Sequence, residues 1–411
     1  MRSRRRVVSV GLSVCAGLAS CLVVGLWPPG ARADWPQWRG ARRDATATAK
    51  GLSTDWKRHP PKVLWRARVG TGFSSIAVAD GLAFTLGNRA GRDTVYAFDA
   101  ATGKVRWKHA YRCDLAPLRH EGGPFATPTV AGGRVYTLSK LGHLFCFEAA
   151  GGRVIWQKDV VEATGSLRAN YGFAGSPLVW GRLLILNAGP AGAALDKDTG
   201  KVVWKSAGDV KPGHASPMPV TLGKRTGVLI LAKTQLVIVD PATGRILRQR
   251  PITGQGMRIY KIADPLLVDG RIFITATYGY VCTLLSTDDG KVSEVWRNEN
   301  LTSKVYSPVL VDGHIVGAHL EKSLRCLDPA TGKLTWERRF AGSLIVLDGA
   351  CLILTSDGAL VLAEITGKAY KELARAQVLK GKCWTSPALA GGRVYCRNAA
   401  GDIVCVDIGA K

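Results

Sequence analysis

Few side chains in this 411-residue chain have the type and spacing for acid–base or metal chemistry. His120-Glu121, within RHEGGP, sets an imidazole beside a carboxylate, the pairing an acid–base step needs. In a glycine-rich loop the pair reads more simply as a turn contact. His314 and His319 are an odd number of residues apart in an apolar run, so in a strand they face opposite sides and share no metal. Lys140 to His143 (KLGH) reads as a tight hairpin turn.

Ten cysteines are present, eight of them after residue 33. Cys146, Cys282, Cys326 and Cys405 sit in apolar runs such as LFCFE and IVCVD, where a thiol serves as a small buried apolar group. Cys113 and Cys383 read as loop-borne and able to pair or stay free. Neither a C-x-x-C nor two adjacent cysteines occur. The chain also lacks a D-x-[DN]-x-[DN]-G calcium loop, a G-x-S-x-G elbow, an H-E-x-x-H helix and a P-loop. What recurs instead is a set of rings. Phe73, Phe125, Tyr171, Phe173, His214, Tyr306 and Trp384 each lie just ahead of a Ser/Thr-Pro or related dipeptide, with Arg168, Arg258 and Lys304 in the same segments. Brought together, they would form an aromatic mouth able to attract an acidic group. They would equally serve as plain filling.

What must bring them together is a repeat. The turns read DAATGKVRW (99–107), EAAGGRVIW (148–156), DKDTGKVVW (196–204), DPATGRILR (240–248), STDDGKVSEVW (286–296), DPATGKLTW (328–336) and EITGKAY (364–370). Their glycines, 103, 152, 200, 244, 290, 332 and 367, are spaced by 49, 48, 44, 46, 42 and 35 residues. That approaches the ~40–45 residues of a four-stranded propeller blade. The acid accepts backbone N–H groups and the glycine supplies the positive φ of the turn. Trp107, Trp156, Trp204 and Trp336 follow the glycine by four residues, and Trp296 follows after a two-residue insertion. On an outer strand, an indole there can cover the next blade. Alternating runs such as RVYTLS suit strands packed blade on blade.

The last unit has three strands, near 384–390, 393–397 and 402–407, while KVLWRARV (62–69), with Trp65, precedes the first full unit. The reading is an all-β, eight-bladed propeller of four-stranded antiparallel blades, spanning 62–408 and closed by an N-terminal strand joining the last blade.

Residues 1–33 carry a basic start, an uncharged Val7–Leu26 run and Ala31-Arg32-Ala33, the pattern of a signal peptide cleaved after Ala33. Three alternatives stand beside it: the apolar run is long enough to stay as an uncleaved anchor, Leu18-Ala19-Ser20-Cys21 resembles a lipobox with Cys21 lipidated, and Ser3–Val8 resembles a twin-arginine signal. Net charge is +25, and +20 without residues 1–33. That favours anionic partners. The densest cluster, Arg39 to Arg43, falls in the 34–61 segment and reads as a flexible arm; no nucleic-acid motif accompanies it, so no nucleic acid is expected.

The D-x-x-TG-K-x-x-W repeats over 62–408 resemble those of propellers with pyrroloquinoline quinone-like repeats. That family includes quinoprotein alcohol dehydrogenases and the outer-membrane-protein assembly lipoprotein BamB. DWPQWRG (34–40) and GGPFATPTV (122–130) are similar to a bacterial envelope branch. The resemblance implies either of two functions. One is a non-catalytic, monomeric platform of the periplasm or cell envelope that binds envelope proteins or an anionic ligand, touches the membrane only through lipid on Cys21 and needs no cofactor. The other is a quinone-dependent dehydrogenase holding pyrroloquinoline quinone (PQQ) with calcium. In the dehydrogenases the resemblance implies a vicinal Cys-Cys pair, which this chain lacks.

Overall fold

The computed structural model describes residues 34–49, 52–252, 262–276 and 282–409. The export segment, with Cys21 and the Ala33 cleavage point, and Arg258 lie outside the described residues.

Eight four-stranded antiparallel sheets form the ring. Blades 1 to 7 begin with inner strands Ala77–Ala79, Thr129–Ala131, Leu178–Trp180, Met218–Leu222, Leu266–Val268, Val309–Val311 and Gly342–Leu347, each followed outward by three strands in chain order. Blade 8 has Ala388–Ala390, Arg393–Arg397 and Asp402–Asp407 from the C-terminus, and its outer strand is Lys62–Arg68. That strand pairs antiparallel with Asp402–Asp407, from Lys62↔Asp407 to Arg68↔Asp402, with a register shift between Val63 and Trp65. The closing pair removes the free edge that a three-stranded last blade would expose.

Middle strands are buried over most of their length, as in Leu82–Arg89. The expected alternation holds better on outer strands such as Val105–Arg112, where exposed and half-buried residues alternate. The reason is coverage: inside the ring each blade is packed on both faces, so both sets of side chains leave water.

The repeat's turn shows its chemistry. Asp99 Oδ1 accepts from the Ala101 and Thr102 amides and from the Thr102 hydroxyl. Those bonds, the hydroxyl's first, hold its pKa below the ordinary carboxylate value. Gly103 has φ +71°, and a Cβ there would meet the Trp65 ring at 2.6 Å. The bare glycine therefore lets the preceding blade's indole lie flat on the turn. Each such indole also donates to a carbonyl of the next blade: Trp65 to Ala100, Trp107 to Ala149, Trp156 to Lys197, Trp204 to Pro241, Trp296 to Pro329 and Trp336 to Thr366, at 2.8–3.1 Å. Arg248 occupies the slot in blade 4 and lies by Gly290. At the closing seam the buried Arg397 adds donations to the Ser74, Leu86 and Gly70 carbonyls and the Thr85 hydroxyl. Burial lowers its pKa to about 9.

All eight cysteines after residue 33 are buried free thiols. Cys113 and Cys383 are as buried as those in strands, each thiol pushed up to about 12 by burial first. No helix among the described residues is long and apolar enough to cross a membrane.

Candidate functional site

The Ser/Thr-Pro dipeptides start the inner strands, and their side chains are linked around the axis. The Ser75 amide donates to Thr127 Oγ1, the Thr127 amide to Ser176 Oγ, and the Ser176 amide to Ser216 Oγ. The Ser216 amide donates to Asp264 Oδ1, and the Asp264 amide to Ser307 Oγ. Blades 2 to 6 thus each present a side-chain acceptor to the preceding blade's amide. Blade 5 does so with a carboxylate where four other blades use a hydroxyl.

The 34–49 segment explains that carboxylate. Trp35 bridges to Val78 of blade 1, and the Pro36 carbonyl accepts from Val130 of blade 2. The Trp38 indole N–H donates to Asp264 Oδ2. Arg39 donates to the Pro308 carbonyl at 2.6 Å, and Arg43 to the Ser176 and Pro177 carbonyls at 3.0 and 3.1 Å. Ala45 and Ala47 bond Val346 of blade 7. The segment therefore crosses the axis and is tied to blades on all sides. This corrects the expectation of a flexible basic arm. Arg39 and Arg43 are 2% and 5% exposed. Burial lowers both pKa values, that of Arg43 to about 10, against the opposing pull of Asp264. The Arg43 guanidinium forks through both terminal nitrogens onto carbonyls, a fit that a lysine lacks.

Above this floor lies an axial well of about 210 Å³. Trp38, Ser176, Ser216 and Asp264 line its base; Phe73, His120, Phe125, Tyr171, His214 and Trp384 line its wall; Arg119 and Lys304 are at its margin. The rings form one belt. Phe73 stacks on Phe125 and on Trp384 at 5.7 and 5.8 Å, His120 lies 5.3 Å from Tyr171, and Tyr171 lies 5.7 Å from His214. Lysines sit on the belt: Lys382 and Lys304 lie 4.5 and 5.1 Å from the Trp384 centroid, and Lys140 lies 5.3 Å from that of Phe125. Lys140 also donates to the Ala116 carbonyl at 2.6 Å, and Lys382 pairs with Glu121 at 2.6 Å.

Two imidazoles in this wall are short of partners. His120 Nδ1 accepts from the Gly122 amide at 2.9 Å. Its Nε2 has no partner, and neither has Nε2 of His214. Burial is the main cause that lowers each to about 4, reinforced at His120 by Lys140 and at His214 by His120. Both are neutral at pH 7. With Nδ1 accepting, the His120 proton sits on Nε2, so this edge is an unused donor.

Of the residues expected at an aromatic mouth, Phe73, Phe125, Tyr171, His214, Lys304 and Trp384 come together around the well. Phe173 does not: it is 1% exposed and packs in the core with Leu138, Leu144 and Leu184. Tyr306 turns away too, donating its hydroxyl to the Cys383 carbonyl at 3.0 Å. Arg168 is exposed and does not line the well. The sequence reading missed Trp38, Arg119, His120 as a wall residue, and Asp264. Asp264 alone had a signal, as the one acid among the Ser/Thr-Pro positions.

The comparisons with known proteins are consistent with this geometry. A family model described as outer membrane protein assembly factor BamB matches residues 40–123, 91–336 and 283–410. Outer membrane protein assembly factor BamB of Bordetella pertussis is 22% identical over 316 residues, covering 73% of this chain and 75% of that protein. Quinoprotein alcohol dehydrogenase PedH of Pseudomonas putida is 32% identical over 155 residues, 34% of this chain and 25% of that protein. Among solved structures, BamB from Moraxella catarrhalis aligns with a TM-score of 0.62 at 17% identity, over 84% of this chain and 99% of that one. A europium-containing methanol dehydrogenase aligns with a TM-score of 0.68 at 13% identity, over 89% and 90%. At these identities the structural likeness speaks for the fold alone.

Proposed function

Since the chain belongs to the family described as outer membrane protein assembly factor BamB, a family of PQQ-like repeat propellers, we propose that it is a non-catalytic binding and assembly platform of the cell envelope. In this reading residues 1–33 direct export, through cleavage after Ala33 or lipid on Cys21. The 34–61 segment floors the ring, and the 62–408 propeller presents its loops to an envelope protein or an anionic ligand.

One observation carries the non-catalytic half. Asp264 is the one acid among the residues lining the well, and both its oxygens are engaged, by Trp38 and by the Ser216 amide. Its charge faces two buried arginines. Each oxygen is thus already committed to a protein donor. Among the described residues no group of three or more His, Cys, Asp or Glu side chains is placed to hold a metal. The well's volume of about 210 Å³ falls below the roughly 300–1,000 Å³ of sites for larger ligands. A fused quinone with its calcium does not fit this donor set. The binding half is supported by the stiff ring and its basic margin, which suit an anionic occupant.

The test uses the purified exported chain with PQQ and calcium. The expected result is neither saturable quinone binding nor dye reduction, while the immobilised protein retains a defined envelope protein. Saturable quinone binding with dye reduction overturns the reading.

A further inference from the structure

The outer rim of the ring is unevenly charged. On the arc of blades 8 and 1 the outer strands Lys62–Arg68 and Val105–Arg112 carry three lysines and arginines each and no acid. On blades 5 and 6 the outer strands each carry a glutamate, and Glu294 and Glu337 pair with Arg250 and Arg325 at 3.6 and 3.0 Å. The basic arc is also grooved. A cleft of about 660 Å³ lies between the outer strands of blades 7 and 8, lined by Arg66, Arg68 and Lys380 over a floor of Val378, Leu379 and Ile403. A second, of about 340 Å³, leads from Arg68 to Arg89 and the Ala90-Gly91 hairpin tip of blade 1. Arg68 lines both, so the two form one track from seam to seam. All four cations are exposed. Arg66 is steadied across the seam by donating to the Val378 carbonyl at 3.1 Å. The one acid lining the track, Asp402, lies 3.5 Å from Arg68. No aromatic ring lines it. A polypeptide partner anchors through aromatic side chains seated in pockets, and this track has only a shallow floor that is already buried. A bilayer surface is flat and does not enter a recess. What the track suits is a single extended chain with a negative charge on each unit.

We propose that this track holds a linear acidic polysaccharide with one carboxylate per sugar, a uronate polymer. Carboxylates accept from Arg66, Arg68 and Arg89, whose guanidinium forks suit them bidentately, and Lys380 adds a point charge. Arg66 and Arg68 stand two residues apart on one side of a strand, about 7 Å from each other, so a regularly charged chain meets both. The net charge of +25 draws such a chain in from a distance. The assignment rests on the platform reading and specifies its anionic ligand.

Calorimetry on the full exported chain at low salt tests it with hexagalacturonate. Saturable one-to-one binding is expected, weakened about tenfold or more in roughly 0.5 M salt, which screens exposed charges. The methyl ester of the same hexamer, alike in shape but uncharged, should not bind. Arg68→Gln combined with Lys380→Gln should weaken the hexamer about tenfold, a difference near 1.4 kcal/mol. Arg245→Gln combined with Lys291→Gln removes the same charge from exposed positions on blades 4 and 5 and should weaken it less than about twofold, because salt screens remote charges. All four positions are exposed, so the urea midpoint should stay fixed in both variants. Equal binding of hexamer and ester, or equal loss in the two double variants, overturns the proposal. So does hexaglutamate bound as tightly as the hexamer, which assigns the track to an acidic protein segment. A parent chain that binds phosphatidylglycerol vesicles but no hexagalacturonate overturns it as well. A chain that ignores the hexamer yet retains its envelope protein sinks only this assignment; saturable quinone binding with dye reduction sinks the platform reading.

Discussion

The two ends of the propeller axis are built from the same inner-strand starts and finish in opposite electrostatic states. At the floored end the charged groups Arg39, Arg43 and Asp264 have partners. Arg39 and Arg43 reach carbonyls of blades 6 and 3, and Asp264 takes the Trp38 indole and the Ser216 amide. At the open end His120 Nε2, His214 Nε2 and Glu121 Oε2 are buried without partners. A buried polar group left unpaired costs roughly 1–3 kcal/mol. Such a cost at one end, beside paired charges at the other, makes the open end the less stabilised of the two. The difference also separates stability from binding: changes at the floor should unfold the ring, and changes at the mouth should alter what it holds.

The largest effect is expected at the floor. Asp264→Ala removes the charge that offsets two buried arginines and strands the Trp38 and Ser216 donors. Breaking a buried, compensated charge group costs about 3–5 kcal/mol, read as a shift of the urea midpoint. Asp264→Ser restores the hydroxyl used by other blades. It keeps an acceptor for the Ser216 amide and still strips the charge, so most of the loss should remain. A serine variant as stable as the parent would show that the arginines need no counter-charge, and the contrast between the two ends would lose its electrostatic basis.

The same contrast explains what was legible in the sequence. The turn glycines gave the period, Lys62–Val69 announced the closing strand, and the Trp slot marked the seams, because each of these depends on local spacing. The floor depends on contacts far apart in the chain. Arg39 meets a carbonyl 269 residues away, and backbone acceptors leave no trace in side-chain identity. A basic cluster without visible acids therefore reads as a solvated arm. At the mouth, position before a Ser/Thr-Pro pair identified the segments but not the direction of each ring. Phe173 and Tyr306 share the pattern of Phe73 and Trp384 and turn into the core instead.

An intermediate effect is expected from acid. His214 is 9% exposed, and burial brings its pKa down to about 4 from the ordinary 6.5. The unfolded chain therefore binds this proton at a higher pH than the folded one. Stability from this group is complete above pH 6.5, falls as pH drops toward 4 and levels off below. The shift corresponds to about 3 kcal/mol. His120 acts in the same direction. His214→Phe should remove the His214 share of the acid-limb loss when unfolding is followed from pH 7 to pH 4. An unchanged acid limb in the variant would place the pH sensitivity outside the mouth.

The smallest effect is expected from the ion pair at the mouth. Lys382 and Glu121 lie 2.6 Å apart, with side chains 35% and 38% exposed. Water and salt screen such a pair, and exposed pairs contribute about 0–1 kcal/mol. Lys382→Gln should therefore cost less than about 1 kcal/mol of stability, and less again at high salt. It also removes a cation 4.5 Å from the Trp384 ring and releases the Glu121 carboxylate, whose charge then opposes an anionic occupant. The urea midpoint should stay nearly fixed. If the midpoint moved as far as in Asp264→Ala, the open end would be as structurally committed as the floor, and the contrast between the two ends would fail.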